Sequence, residues 1–462
     1  MSAMMDLIAA AAATGGTLIG DNPSFFGVST DSRAVAAGEL FVALRGEHFD
    51  GHEFVAAAKE RGAVAALVDA QAAEGLKSFG LPLVSVADTR LALGALAAKW
   101  RARFSLPLVA VTGSNGKTTT KEMLASIMKA AFGETVLVTQ GNFNNDIGMP
   151  LTLLKLHAGH RAAVIEMGMN HPGEIAALTR IARPTVAVVT NAQRAHLAGM
   201  GTLASIATEK GSVFRGLTEQ GVAVFNLDDP WADLWRALCA NHRILNFSFL
   251  HTAEVCGSYQ AHGLDNRLTI AAQGEQIEVA LSLPGAPTAR NAAAAATAAI
   301  AAGVSLAAVR QGLSDFRGIK GRLQRRAGLN GSVLLDDTYN ANPDSVRAGI
   351  DVLASTIGRK ILVLGDMGEI GDMSGQFHDE VGGYAKSQGV DLLFAFGDSS
   401  VLAAHNFGAG GRHFTQLKDL LDAVSGELTP DTTVLVKGSR FMRMERVADA
   451  LSTAPVPSGG EH

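Results

Sequence analysis

Leu106-Pro107-Leu108-Val109-Ala110-Val111 runs directly into Thr112-Gly113-Ser114-Asn115-Gly116-Lys117-Thr118-Thr119, and this junction decides the fold. The first stretch is apolar throughout, which suits a strand buried on both faces of a sheet. From Lys117 to residue 130 there is no Gly or Pro, and that segment reads as a helix. In the loop between, glycines let backbone N–H groups turn toward an anion. The helix N-terminus adds its dipole, Lys117 a mobile positive charge, and Thr118 a hydroxyl suited to Mg²⁺. Thr112, Gly113, Ser114, Asn115, Gly116, Lys117, Thr118 and Thr119 therefore form a candidate site for the phosphates of ATP. The strict motif has a glycine at position 111. Val111 stands there instead, and the extra glycine is Gly113.

Outward from the loop, short apolar runs at 135–139, 162–166, 185–190 and 222–226 alternate with helical stretches. That pattern predicts a parallel sheet covered on both faces. Residues 267–271 and 276–283 flank Ala272-Gln273-Gly274-Glu275 and read as a hairpin on an antiparallel edge of that sheet. An alanine-rich helix at 289–302 follows, closed by Gly303. Before the loop, a strand at 38–44, a helix at 54–61 and a strand at 63–68 make a small α/β unit, and a helix at 89–103 leads out of it. Strands at 333–336, 360–364, 392–396 and 433–436 make a second open α/β sheet. Three domains are expected, at 1–86, 87–319 and 320–462, in keeping with roughly 150 residues per domain. The tail 455–462 is expected to be disordered.

Hydrophobic residues make up 47% of the chain and charged residues 18%, a balance of folded domains. The net charge of −5 excludes a general nucleic-acid binder, which would carry a clustered basic excess. Two cysteines, Cys239 and Cys256, build neither a disulfide framework nor a metal cluster and suit a reducing cytoplasm. The apolar run at 7–13 follows Asp6 and ends at Thr14-Gly15-Gly16, so it reads as a helix and not a signal peptide. No apolar run is long enough to span a membrane, and a cytoplasmic monomer is expected.

Nucleotide chemistry needs Mg²⁺ held by hard oxygen ligands. Glu166 ends a strand, and strand carboxyl ends line the ligand crevice of an open parallel sheet. It is well placed opposite Thr118. His196 lies beyond the same sheet edge, as a metal ligand or a solvated loop histidine. Lys210, from spacing alone, reads as a solvated lysine on a helix. Asp336-Asp337-Thr338-Tyr339-Asn340-Ala341-Asn342-Pro343 follows a strand and is dense in groups that bind hydroxyls, amides or amines. Lys437-Gly438-Ser439-Arg440 follows another. Gly365, Gly368 and Gly371 do not have the dinucleotide spacing, so no NAD site is inferred and the stretch reads as a loop.

Together these pieces resemble the Mur ligases, over nearly the whole chain. The variant loop T-G-S-N-G-K-T-T is the form that family uses, which accounts for Val111. S-T-D-S-R at 29–33 with G-E-L-F-V-A-L-R-G at 38–46 resembles the family's UDP-sugar module. G-N-F-N-N-D-I-G-M-P-L-T-L-L at 141–154, E-M-G-M-N-H-P-G-E-I at 166–175, Y-N-A-N-P-D-S at 339–345 and G-D-M-G-E-I-G at 365–371 are closest to the branch that joins D-Ala-D-Ala to UDP-MurNAc-tripeptide. The resemblance implies a small N-terminal α/β domain, a central phosphate-loop ATPase domain and a Rossmann-like last domain. It implies ATP and Mg²⁺, with Lys117 on the phosphates and Thr118, Glu166 and His196 on metal. Lys210 matches a lysine that related ligases carbamylate. Asn291, Arg322 and Asp337 fall on the nucleotide side. Ser29, Thr30, Asp31, Arg33, Arg45, Gly46, Asn142, Asn144 and Asn145 fall on the UDP-sugar and peptide side. Asn340, Asn342, Ser439 and Arg440 are the candidates for the dipeptide. The competing readings are a sibling ligase adding the third residue or extending a glutamyl chain, and a non-catalytic nucleotide or UDP-sugar sensor.

Overall fold

The computed structural model describes residues 3–453. The tail 455–462, expected to be disordered, lies outside the described residues.

The quoted junction forms the strand Leu108–Thr112 and the helix Lys117–Phe132. Every residue of the strand is buried. Leu108 and Ala110 point into one core and Val109 and Val111 into another, so the continuous apolar run reflects two covered faces. The sheet has six strands, all parallel, in the order Arg243–Ile244, Val222–Phe225, Val186–Val189, Leu108–Thr112, Ala162–Glu166 and Val136–Val138. The first strand in sequence lies between the third and the fourth, so the winding reverses there. Ligands of open parallel sheets sit at the carboxyl ends beside such a reversal. The helix Ala286–Ala301 packs its alanines on one face with Lys117–Phe132, and Glu174–Ala182 covers the other. Small side chains allow that close approach of two helices.

The expected antiparallel edge is not part of this sheet. The hairpin Asp265–Ala272 with Glu275–Leu281 belongs to a separate four-stranded sheet with Val255–His262 and Phe247–Ser248. Its turn is the expected one, with Gln273 and Gly274 both at positive φ. The face of this sheet formed by Leu268, Ile270, Val279 and Leu281 is buried in the second core of the central unit. The alternation of apolar and polar residues along the hairpin records a sheet stacked face-on, which pattern alone does not separate from an edge strand.

The larger sheet of the N-terminal unit has five strands, ordered Thr17–Ile19, Leu83–Val86, Ala65–Asp69, Glu39–Val42 and Gly27–Ser29, antiparallel only at the first pair. Its first helix, Leu7–Thr14, is capped by the Asp6 carboxylate and closed by Gly15. The helix Thr89–Arg101 shares one apolar core with both this unit and the central sheet. The last unit has six strands, ordered Gln324–Ala327, Val333–Asp337, Thr432–Lys437, Arg359–Gly365, Leu392–Phe396 and Gly411–Phe414, with only the first antiparallel. Apolar cores fill both of its faces. The two edge strands of this sheet are half polar, and their sequences carry no strand signal.

Candidate active site

The phosphate loop is fixed by its neighbour, the segment 190–196. Asn115 N–H donates to Asn191 Oδ1 at 2.9 Å, and Thr190 Oγ1 and Asn191 Nδ2 both donate to the Asn115 carbonyl. Ser114 Oγ and Gln193 exchange two more hydrogen bonds. Gly113 and Gly116 have φ of +147° and +79°. A Cβ on either would collide with Thr190 Oγ1 or with Asn291 Oδ1, so both positions need glycine for conformation and for space. Lys117 folds back over the loop, its Nζ donating to the carbonyls of Gly113 at 2.7 Å and Ser114 at 3.1 Å. Burial holds this amine below the usual lysine range.

Two further buried groups face the loop's far side. Glu166 accepts from Asn144 Nδ2 at 2.8 Å through Oε1, while Oε2 is buried without a partner. Lys210, on the helix Leu203–Gly211, is fully buried and its Nζ makes no hydrogen bond. Burial, reinforced by the nearby Lys117 charge, pushes the Lys210 amine well below its ordinary range. The reading of Lys210 as a solvated lysine is therefore corrected. The apolar positions of its helix and Trp235 turn that face inward. His196 sits in the left-handed region, φ +59°, at the start of the short helix Leu197–Met200. Its Nδ1 lies 2.8 Å from Glu369 Oε2 of the last unit. The histidine beside it holds the Glu369 carboxyl below its ordinary range.

The last unit meets the loop directly. Arg322 Nη2 donates to Thr118 Oγ1 at 3.1 Å, and its guanidinium lies 3.9 Å from the centre of the Tyr339 ring. Asn342 caps the helix Pro343–Ala354 and donates through Nδ2 to Asn115 Oδ1 at 2.8 Å. Lys437 donates to Asp337 Oδ2 at 2.6 Å and to the Asn340 carbonyl at 2.9 Å. A cavity of about 1000 Å³ lies between the units. Residues 114–119 of the loop, Glu166, His196, Asn291, Arg322, Asp337, Asn340 and Asn342 all line it, whereas Thr112 and Gly113 do not, Thr112 being buried with its hydroxyl on the Met167 carbonyl.

Residues 25–101 match the Mur ligase family catalytic domain, residues 111–299 the Mur ligase middle domain, and residues 321–440 the Mur ligase glutamate ligase domain. The UDP-N-acetylmuramoyl-tripeptide--D-alanyl-D-alanine ligase of Haemophilus influenzae is 41% identical over 443 residues, covering 94% of this chain and 95% of that protein. This chain belongs to the Mur ligase family. A crystal structure of MurF from Acinetobacter baumannii is similar throughout, with a TM-score of 0.88 at 34% identity over 96% of this chain and 98% of that one. MurF ligase from Thermotoga maritima in complex with ADP gives a TM-score of 0.79 at 27% identity, over 92% and 96% of the two chains. The three-domain α/β architecture is that of these relatives.

In this Mur ligase the expected residues divide by place. Asn142, Asn144 and Asn145 line the main cavity with the loop. Ser29, Thr30, Asp31, Arg33, Arg45 and Gly46 stand apart from it in the first domain. There Arg33 holds the Asp31 carboxyl down to about 2, and Arg45 pairs with Asp50 and Asp69. Ser439 is buried, accepting from Gly368 N–H and donating to the Ala341 carbonyl. Arg440 is paired with Glu445 on the surface. Neither of these lines the cavity, whereas Lys437 of the same stretch does. Sequence reasoning passed over Arg194, Asp344 and Glu369. The last two lie inside motifs already singled out, Y-N-A-N-P-D-S and G-D-M-G-E-I-G, but the first reads as a ligand-binding stretch and the second as a loop, and neither pointed to contact between domains.

Proposed function

We propose that this chain joins D-Ala-D-Ala to UDP-MurNAc-tripeptide at the expense of ATP, yielding UDP-MurNAc-pentapeptide, ADP and phosphate for peptidoglycan precursor synthesis. The observation that carries the reading is convergence. The phosphate loop, a half-satisfied carboxylate and the amide-rich stretch of the last domain share one cavity.

A carboxylate and an amine do not condense at neutral pH, because oxide is a hopeless leaving group. The route therefore passes the γ-phosphoryl of ATP to the terminal carboxylate of the tripeptide. The neutral amine of D-Ala-D-Ala attacks the acyl phosphate, loses a proton, and phosphate departs with the oxygen. Lys117 supplies positive charge to the transferring group, and the loop N–H groups hold the phosphates in line. The orphaned Oε2 of Glu166 and the Thr118 hydroxyl are hard oxygen donors, the set Mg²⁺ takes when substrate phosphates complete its shell. Held by these groups, Mg²⁺ would supply positive charge to offset that of the phosphates and the carboxylate. His196 is assigned to a second Mg²⁺. Lys210, its amine pushed well below the ordinary lysine range by burial, suits carbamylation: its nitrogen bonds CO₂ carbon, a proton leaves, and an anionic ligand results. Asn291, Arg322 and Asp337 are assigned to the nucleotide, the first-domain set 29–33 and 45–46 to the UDP-sugar, and Asn340 to the dipeptide.

The domain limits near residues 86 and 319 belong to the same proposal, as do a monomer and a cytoplasmic location. No described helix is long and apolar enough to cross a membrane. The test is phosphate release from ATP and UDP-MurNAc-tripeptide with four acceptors in turn. Release with D-Ala-D-Ala alone supports the reading. Release with meso-diaminopimelate, lysine or glutamate instead identifies a sibling ligase, and no release with any acceptor favours a nucleotide sensor.

A further inference from the structure

The segment that braces the phosphate loop is itself held from the other side. Arg194 lies two residues before His196 and makes every one of its side-chain hydrogen bonds to the last domain. Its backbone N–H donates to Asp344 Oδ2 at 2.8 Å, and Nε and Nη2 donate to Asp344 Oδ1 at 3.0 and 2.7 Å. Nη1 and Nη2 donate to the two oxygens of Glu380 at 2.8 and 3.1 Å. The guanidinium lies 5.2 Å from the centre of the Phe377 ring. Glu380 is steadied by a second cation, Arg347, at 3.0 Å. A planar fork gripping two carboxylates fixes orientation as well as distance, which a lysine cannot do.

The attachment points matter. Asp344 stands in the first turn of the helix Pro343–Ala354, directly after Asn342, which exchanges amide hydrogen bonds with Asn115 of the phosphate loop. One helical turn of the last domain thus keys into both the phosphate loop and the segment carrying His196. Arg194 is the one charged side chain of that segment besides His196, and unlike His196 it does not line the cavity.

We propose that Arg194 is a positioning residue that locks the last domain in register over the phosphate loop, so that the acyl phosphate and the incoming amine meet in one cavity. This rests on the ligase reading above. The lock acts on geometry after the substrates are bound, so it governs turnover and not capture of the UDP-tripeptide.

The experiment combines kinetics with small-angle scattering on Arg194→Ala, Arg194→Lys, Glu380→Ala and the Arg194→Ala/Glu380→Ala double variant. Misplacement of reacting groups by about 1 Å costs on the order of 100-fold, so kcat of Arg194→Ala is expected to fall by roughly 10- to 100-fold. The KM for UDP-tripeptide stays within about twofold, because the substrate's own contacts are untouched. Arg194→Lys falls between wild type and Arg194→Ala. The double variant is no worse than the Arg194→Ala single, since both changes break one contact. With an ATP analogue and UDP-tripeptide bound, Arg194→Ala has a larger radius of gyration than wild type. A kcat within about twofold of wild type together with a wild-type radius of gyration overturns the proposal. So does a UDP-tripeptide KM that rises in step with the loss of kcat, or effects of Arg194 and Glu380 that multiply. Should Arg194→Ala fail to fold by circular dichroism, Arg194→Lys and Glu380→Gln carry the same comparison. If wild type releases no phosphate with D-Ala-D-Ala, the ligase reading fails, and the scattering comparison alone decides the lock.

Discussion

Replacing Lys210 by methionine separates stability from catalysis, because the two respond in opposite directions. The Lys210 side chain is fully buried and its Nζ has no hydrogen-bond partner. A buried polar group left unpaired costs roughly 1–3 kcal/mol, and more when charged. Lys117 lies close enough to add repulsion. Methionine keeps the length of the chain and removes the polar atom. In CO₂-free buffer, Lys210→Met is therefore expected to gain about 1–3 kcal/mol. For a unit of this size that is a rise in Tm on the order of 5 °C. Phosphate release is expected to fall by about 100-fold or more, the scale of losing one group that stabilises the reacting charge. Adding bicarbonate raises wild-type activity and leaves the variant unchanged, and ¹³C-bicarbonate gives a carbamate resonance only in wild type. A variant less stable than wild type in CO₂-free buffer refutes the energetic argument. A variant with full activity refutes the catalytic one.

Gly116→Ala meets two penalties, a left-handed backbone costing about 1–2 kcal/mol and the overlap with Asn291. Calorimetry is expected to show weakened ATP binding; unchanged affinity would show that Asn291 yields to the added methyl. Asp229 at the cavity edge has its carboxyl pushed up by burial from 3.8 to about 6. Between those values the folded state keeps a proton the unfolded state has lost, so stability falls as pH rises through that window. Asp229→Asn removes the slope and is more stable than wild type above about pH 6, read as unfolding midpoints across pH; equal slopes would show that this carboxyl is already ionised in the fold. Arg194→Ala, treated above, completes the set.

The central sheet and the loop were legible because local and global demands agree there. Leu108–Thr112 is buried on both faces, so every residue is apolar, and Gly113 and Gly116 occupy conformations that only glycine adopts at no cost. The hairpin at 265–281 was legible as a hairpin, through Gln273-Gly274, but its assignment to a separate sheet was not. Alternation along a strand reports that one face is buried without saying against what. Lys210 was opaque for a similar reason. A lysine on a helix is solvated by default, and only the packing of Trp235 and the neighbouring helix shows which face it occupies. The contacts of Arg194, Asp344 and Glu369 were beyond reach, because each joins residues more than a hundred positions apart.

The energetics of the site also explain why it looks unfinished as a piece of protein. The half-buried Lys117 and the fully buried Lys210 both stand near Glu166, one of whose oxygens has no partner, with Glu209 also near Lys210 and Glu369 near Lys117. As a device for stability this is poor, since each unmatched group carries a desolvation cost. As a device for the proposed binding it is well arranged, since a triphosphate and its metal would bring the missing partners. The cost is borne by the folded enzyme alone and relieved on binding, so stabilising substitutions here, Lys210→Met among them, are expected to trade against activity. The asymmetry reaches the domain contacts. Arg194 is satisfied by Asp344 and Glu380 and lies off the cavity, while His196 and Glu369, 2.8 Å apart, both line it. The contact off the cavity holds the domains together, and the residues that line it mark where the proposed chemistry would take place.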